Sequence, residues 1–191
     1  MTVMNFAPAA DLERFREYLH LLAQMQIDPR LRRDHDASDI VQTVMLRAYD
    51  GLADFRGATQ EELASWLRKI LANTLANVLR DRLRDLRDVR REVNLEKAID
   101  ESSVHLAACA ASREPSPSSA LQGKEDAVRL AEALAQLPDP QREAVTLKHL
   151  ESRSLLEVAN LMARSPASVA SLLRRGLVKL RELLEENSHV N

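Results

Sequence analysis

The stretch Ser154 to Glu186, SLLEVANLMARSPASVASLLRRGLVKLRELLEE, constrains the chain more than any other, because it holds two helix starts within one short segment. Ser154 followed three residues on by Glu157 is a capping box, in which each side chain satisfies a backbone N–H that the first helical turn leaves free. A second start follows at Ser165, whose hydroxyl can cap, with Pro166 at the first helical position, where the missing N–H costs nothing. The first helix therefore opens at about Leu155, Arg164 to Ser165 form the turn, and the pair reads as a helix-turn-helix.

In the second helix Val169, Leu172, Leu173, Gly176, Leu177, Leu180 and Leu184 recur at the 3.6-residue period, while Ser171, Arg174 and Arg175 lie opposite. The apolar stripe is expected to pack and the basic side to face out. Where such a pair reads DNA, the second helix enters the major groove and its outward side chains meet base edges and phosphates. Ser168, Ser171, Arg174 and Arg175 are the candidates here. The same pattern fits an antiparallel helical hairpin with solvated arginines.

Abundant Leu, Ala, Arg and Glu, 3% aromatic residues and only 4 glycines favour helices over sheets, so the fold class expected is all-α. A length of 191 residues suits one domain or two small ones. The boundaries expected are a first domain over 1–96, a flexible linker over 97–123 and a helix-turn-helix domain over 124–191. The linker rests on ASREPSPSSALQGK, where Ser, Pro and small residues replace the helical pattern.

The formal net charge of -2 hides local segregation. From Trp66 to Glu92 eight basic residues (Arg68, Lys69, Arg80, Arg82, Arg84, Arg87, Arg90, Arg91) stand against four acidic ones, a net of +4 that can attract phosphates. A surface helix laced with ion pairs at i,i+4 would look the same. The single Cys109 cannot close an internal disulfide, which suits a reducing compartment. With no signal-peptide pattern and no run of about 20 apolar residues, the expectation is a cytoplasmic protein with no membrane contact. The histidines are scattered and no Gly-rich phosphate loop occurs, so no enzyme, metal or cofactor is expected.

Along the chain, Leu12, Phe15, Leu19, Leu22 and Met25 predict an amphipathic first helix over 11–26, followed by an LRRDHD connector. A second helix runs from 36–38 to Asp50, with Ile40, Val41, Val44, Met45, Ala48 and Leu52 inward and Gly51 as its C-cap. Asp39, Gln42, Thr43, Arg47 and Asp50 form its polar side. Thr59 with Glu62 is another capping box, opening a helix that runs beyond Arg84 with Leu63, Trp66, Leu67, Ile70, Leu71 and Thr74 on one stripe. Lys69, Asn73, Asn77 and Arg80 share another flank, where amides and guanidinium groups can bond bases and phosphates. In the second half Asp139 is expected to cap and Pro140 to open the helix holding Val145, Leu147 and Leu150.

DASDIVQTVMLRAYDGLADFRG, LASWLRKILANTLANVLRDRLR and LAEALAQLPDPQREAVTLKHLESRSLLEVANLMARSPASVASLLRRGLVKLREL resemble regions 2 and 4 of extracytoplasmic-function sigma factors, a branch of the sigma-70 family. The resemblance covers about 36–92 and 125–186 in the family's order. It implies a two-domain transcription initiation subunit whose partners are core RNA polymerase, promoter DNA and, in some cases, an anti-sigma factor. It implies polymerase binding at Asp39, Gln42 and Arg47. The -10 element would fall to the FRG loop with Ala58 to Glu62 and to Lys69, Asn73, Asn77 and Arg80, and the -35 element to Ser168, Ser171, Arg174 and Arg175. Many members carry Lys-Ser-Arg after the valine of the recognition helix, where Val169 is followed here by Ala170, Ser171 and Leu172. LLRRGL and QMQIDPRLRR resemble a planctomycete-type subgroup. The alternatives are a one-component helix-turn-helix regulator and a helical protein-interaction module.

Overall fold

The structure is a computed structural model that describes residues 8–27, 37–82, 90–111 and 119–188. Among the described residues every regular element is helical. The chain divides into two compact units, Met1–Ser103 and Val104–Asn191.

The N-terminal unit opens with α1 (Pro8–Asp11), a 3-10 turn (Leu12–Phe15) and α2 (Arg16–Gln26). Then come α3 (Ala37–Gly51), a 3-10 turn (Leu52–Asp54), α4 (Gln60–Arg82) and α5 (Arg90–Ala111), within which the division between units falls. Helices α2, α3 and α4 pack on one another. Their shared core holds the expected Leu12, Leu19, Leu22, Val41, Val44, Leu63, Leu67 and Leu71, all buried. Apolar residues at this spacing give each helix one face to bury, at about 25 cal/mol per Å² of apolar surface removed from water. The expected LRRDHD connector and residues 83–89 of the basic segment lie outside the described residues.

Two expectations change here. Gly51 is not a C-cap: its φ is -85°, which any residue adopts, and a Cβ there would come within 3.2 Å of the Trp66 ring. Its smallness lets α3 approach α4. The expected linker from 97 onward is helical as far as Ala111, and the helix of the second half starts at Ser119 rather than near Glu125. Residues 112–118 lie outside the described residues.

Three contacts bind α5 to the N-terminal unit. Buried Tyr18 donates from its hydroxyl to Ser103 Oγ at 2.7 Å, Gln26 Nε2 donates to Ser102 Oγ at 2.9 Å, and Arg68 Nε donates to Asp100 Oδ1 at 2.7 Å. Ile99, fully buried, adds the apolar contact. Burial opposes the Arg68 charge, but Tyr18 and Asp100 outweigh that and raise its pKa.

The C-terminal unit contains α6 (Ser119–Ala135), α7 (Asp139–Val145), a π-helical turn (Thr146–Leu150), α8 (Leu155–Leu161) and α9 (Pro166–Ser188). Helix α9 packs on α6, α7 and α8. Leu147, Val158, Ala159 and Val169 form one buried cluster, edged by Leu155, Leu161, Met162 and Leu173. A Cβ on Gly176 would come within 3.0 Å of Val145 Cγ2, so glycine sets the close crossing of α7 and α9. Asp139 is not the cap expected: Pro138 holds that position, and the Asp139 carboxylate accepts from Arg142 at 2.6 Å.

Candidate nucleic-acid interface

The helix-turn-helix is built by its caps. Glu157 N–H donates to Ser154 Oγ at 3.3 Å and Ser154 N–H donates to Glu157 Oε2 at 2.8 Å, the reciprocal pair that starts α8 at Leu155. Those bonds hold the Glu157 carboxyl below the usual glutamate range. Ser168 N–H donates to Ser165 Oγ at 3.2 Å, and Pro166 opens α9.

The turn is longer than the two residues expected, because α8 ends at Leu161. Ala163 N–H donates to Asn160 O at 3.3 Å and Arg164 N–H to Ala159 O at 2.9 Å, a Schellman ending with Ala163 in the left-handed region at φ 51°. Glycine usually fills that position.

Of the expected recognition residues, Arg174 and Arg175 are exposed, while Ser168 and Ser171 are half-buried. Arg175 Nε donates to Ser171 O at 3.4 Å, which lays its guanidinium back along the helix. The apolar stripe is shifted from the one expected: Leu177 is 38% exposed, and Leu183 takes a buried place instead.

In the N-terminal unit Lys69 and Asn73 are exposed on α4, and Asn77 is half-buried one turn on. Arg80 belongs to the same flank by spacing, but its side chain lies outside the described residues. Arg68, counted in the basic segment, turns inward to Tyr18 and Asp100 and is not available to phosphates.

The loop before α4 is held from both ends. Phe55 packs on Trp66 with ring centroids 5.0 Å apart, and a Cβ on Gly57 would collide with the Phe55 ring and with Glu62 Cβ. Glu62 Oε2 accepts from Ala58 N–H at 2.7 Å and from Thr59 N–H at 3.2 Å, while Glu62 N–H donates to Thr59 Oγ1 at 3.2 Å. The capping box expected from sequence is thus widened to include Ala58, whose N–H chiefly lowers the Glu62 pKa.

On α3 the side chains of Asp39 and Gln42 are exposed. Arg47 is exposed too, yet its guanidinium donates to Thr74 Oγ1 at 3.0 Å, tying α3 to α4. Two residues of this face were missed: Leu46, 60% exposed, and Tyr49, 44% exposed, whose hydroxyl donates to Glu13. Leu46 lies four residues after Gln42 and seven after Asp39, on the same face. The available signal was a leucine off the buried stripe.

Among the described residues no three His, Cys, Asp or Glu side chains gather to hold a metal, and no helix is long and apolar enough to cross a membrane. Cys109 Sγ lies 3.6 Å from His105 Nε2, and burial pushes the thiol pKa up.

Among solved structures the chain is similar to the sigma factor RpoE of Bartonella quintana, crystallised with the anti-sigma factor NepR, at 20% identity, 93% coverage of this chain, 96% of that chain and a TM-score of 0.35. It is also similar to the flagellar sigma/anti-sigma complex Sigma-28/FlgM, at 18% identity, 96% and 99% coverage and a TM-score of 0.27. The model of Sigma-70 region 2 matches residues 14–85, which carry the capped loop and α4, and that of Sigma-70 region 4 matches residues 127–180, which carry the helix-turn-helix. These two regions, in this order, span about two thirds of the sequence, and the chain belongs to the sigma-70 family of RNA polymerase sigma factors.

Proposed function

We propose that this sigma factor is of the extracytoplasmic-function type, acts in the cytoplasm, and directs core RNA polymerase to promoters through a -10 module in its N-terminal unit and a -35 module in its C-terminal unit. The observation that carries the reading is the pairing of a matched region 2 with a matched region 4 whose second helix exposes Arg174 and Arg175. The role is one of binding and melting; the chain supplies no catalysis and needs no cofactor.

In this reading Asp39, Gln42 and Arg47, with the newly found Leu46, meet the polymerase. Arg47 serves also to fix α3 on α4 through Thr74. Lys69, Asn73, Asn77 and Arg80 follow the opened -10 strand, and the loop 55–62 captures an extruded base. Unstacking a base costs a few kcal/mol, which a preformed pocket and backbone contacts offset. A loop already fixed by Phe55, Trp66 and Glu62 loses little entropy on capture.

At the -35 element Ser168, Ser171, Arg174 and Arg175 lie on the major-groove side. An anti-sigma factor that covers exposed Leu46 and Tyr49 is a further partner. The planctomycete-type placement rests on LLRRGL and QMQIDPRLRR alone.

The test is core binding by a well-folded Asp39→Lys, Gln42→Ala variant. Binding is expected to weaken with the helical signal unchanged, and unchanged affinity would remove α3 from the polymerase interface. On the DNA side, Arg175→Ala is expected to relax preference at one -35 position, because a bidentate arginine–guanine contact discriminates by about 1–3 kcal/mol. Arg174→Ala is expected to weaken all sequences alike and flatten the salt dependence.

A further inference from the structure

The first two turns of a recognition helix are the part that meets base edges. In α9 those turns expose Pro166, Ala167 and Ala170 and half-bury Ser168 and Ser171. The orientation is fixed by Val169, fully buried, and Leu172, 8% exposed, on the packed side. Ala167, Ala170 and Arg174 stand at i, i+3 and i+7, so they share one outward face. That face carries two methyl groups before its first charge.

An alanine cannot donate or accept a hydrogen bond, and a polar base edge pressed against it loses water without replacement. In the major groove thymine is the base that offers an apolar group, its C5 methyl, and alanine is a recognised partner for it. Small side chains also let the helix backbone lie close to the groove floor, which brings Arg174 on the same face within reach of a neighbouring phosphate.

We infer that Ala167 and Ala170 are specificity-determining residues that select thymine by methyl contact in the upstream promoter element, next to the step engaged by Arg174. The inference rests on the proposed -35 reading by α9 and adds the base class it selects. Discrimination there is shallow: one methyl is worth about fourfold in affinity, the equivalent of ~0.8 kcal/mol for one buried carbon group.

The test uses holoenzyme made from the full chain and core polymerase, with a promoter selected from a random duplex pool. The selected duplex is resynthesised with deoxyuridine in place of each upstream thymine in turn, which deletes only the methyl. The expected result is a loss of about fourfold at one or two thymines, abolished in Ala167→Gly, Ala170→Gly. Because glycine weakens a helix, Ala170→Ser is measured beside it and is expected to lose the same sensitivity. If every upstream thymine tolerates deoxyuridine while Arg174→Ala still weakens binding, methyl reading is overturned and the -35 reading stands. If no upstream element is selected at all, both fall.

Discussion

Tyr18 and Ser103 lie 85 residues apart in the chain, and the Tyr18 hydroxyl donates to Ser103 Oγ across 2.7 Å in a buried site. This bond fixes α5 to α2, so residues past the region 2 match at 14–85 belong to the folded N-terminal unit. Removing one partner breaks this bond, and a buried group left with its donor or acceptor unpaired costs about 1–3 kcal/mol. Tyr18→Phe and Ser103→Ala are each expected to lower the unfolding free energy by that order, read as a lower urea midpoint. The double variant is expected to cost less than the two together, because the Tyr18–Ser103 bond is lost in all three, while Tyr18→Phe also loses the bond its hydroxyl accepts from Arg68. Additive losses would mean that the two side chains do not interact.

Neighbouring Arg68 and Lys69 are expected to separate stability from DNA binding. Arg68, with an 11% exposed side chain, is paired with Asp100, whereas Lys69 is exposed. Arg68→Ala is expected to destabilise the N-terminal unit and leave the salt slope of promoter binding unchanged. Lys69→Ala is expected to do the reverse, lowering the slope by about one unit. A salt slope that falls in Arg68→Ala would place that guanidinium on a phosphate.

What was legible in the sequence was local. Ser154 with Glu157, Thr59 with Glu62, and Ser165 with Pro166 each announce a helix start, because a cap and its partner sit three residues apart or adjacent. What was not legible depends on contacts between distant residues. Ile99 and Leu106 are widely spaced apolar residues in a stretch of Ser and Ala, and nothing local shows that Tyr18, Gln26 and Arg68 bind its polar side chains. Gly51 looked like a helix end and is a packing gap for Trp66. Leu46 is off the buried stripe and so legible as exposed, but a leucine there carries no sign of what covers it.

The left-handed residue in the helix-turn-helix offers a stabilising change. Ala163, at φ 51°, bears the steric penalty that glycine avoids. Ala163→Gly is expected to raise the stability of the C-terminal unit by about 1 kcal/mol, seen as a higher thermal midpoint with promoter preference unchanged. A lower midpoint would contradict the left-handed turn. Ser152, at φ 55°, is a second site for the same change.

Acid is expected to loosen α8 through Glu157. Ser154 holds its carboxyl below the ordinary value of 4.5, so the folded state binds fewer protons than the unfolded state in that range. The stabilisation is therefore present above the unfolded pKa and lost as pH falls through the depressed folded one. Helicity followed from about pH 6 to pH 2 should fall later in Ser154→Ala than its neutral-pH stability loss alone would suggest, and Glu157→Gln should remove that component of the acid slope. An acid slope identical in wild type and Glu157→Gln would show that the capping box does not titrate.

One chain is expected to join polymerase binding to recognition of two promoter elements. The most direct measurement is run-off transcription in vitro with core polymerase, the full chain and a promoter selected by the holoenzyme. Transcripts are expected from one start site that require both core polymerase and the chain, fall with Asn73→Ala or Lys69→Ala at the -10 element, and fall with Arg174→Ala at the -35 element. A chain that binds the duplex alone and yields no transcript with core polymerase would contradict it.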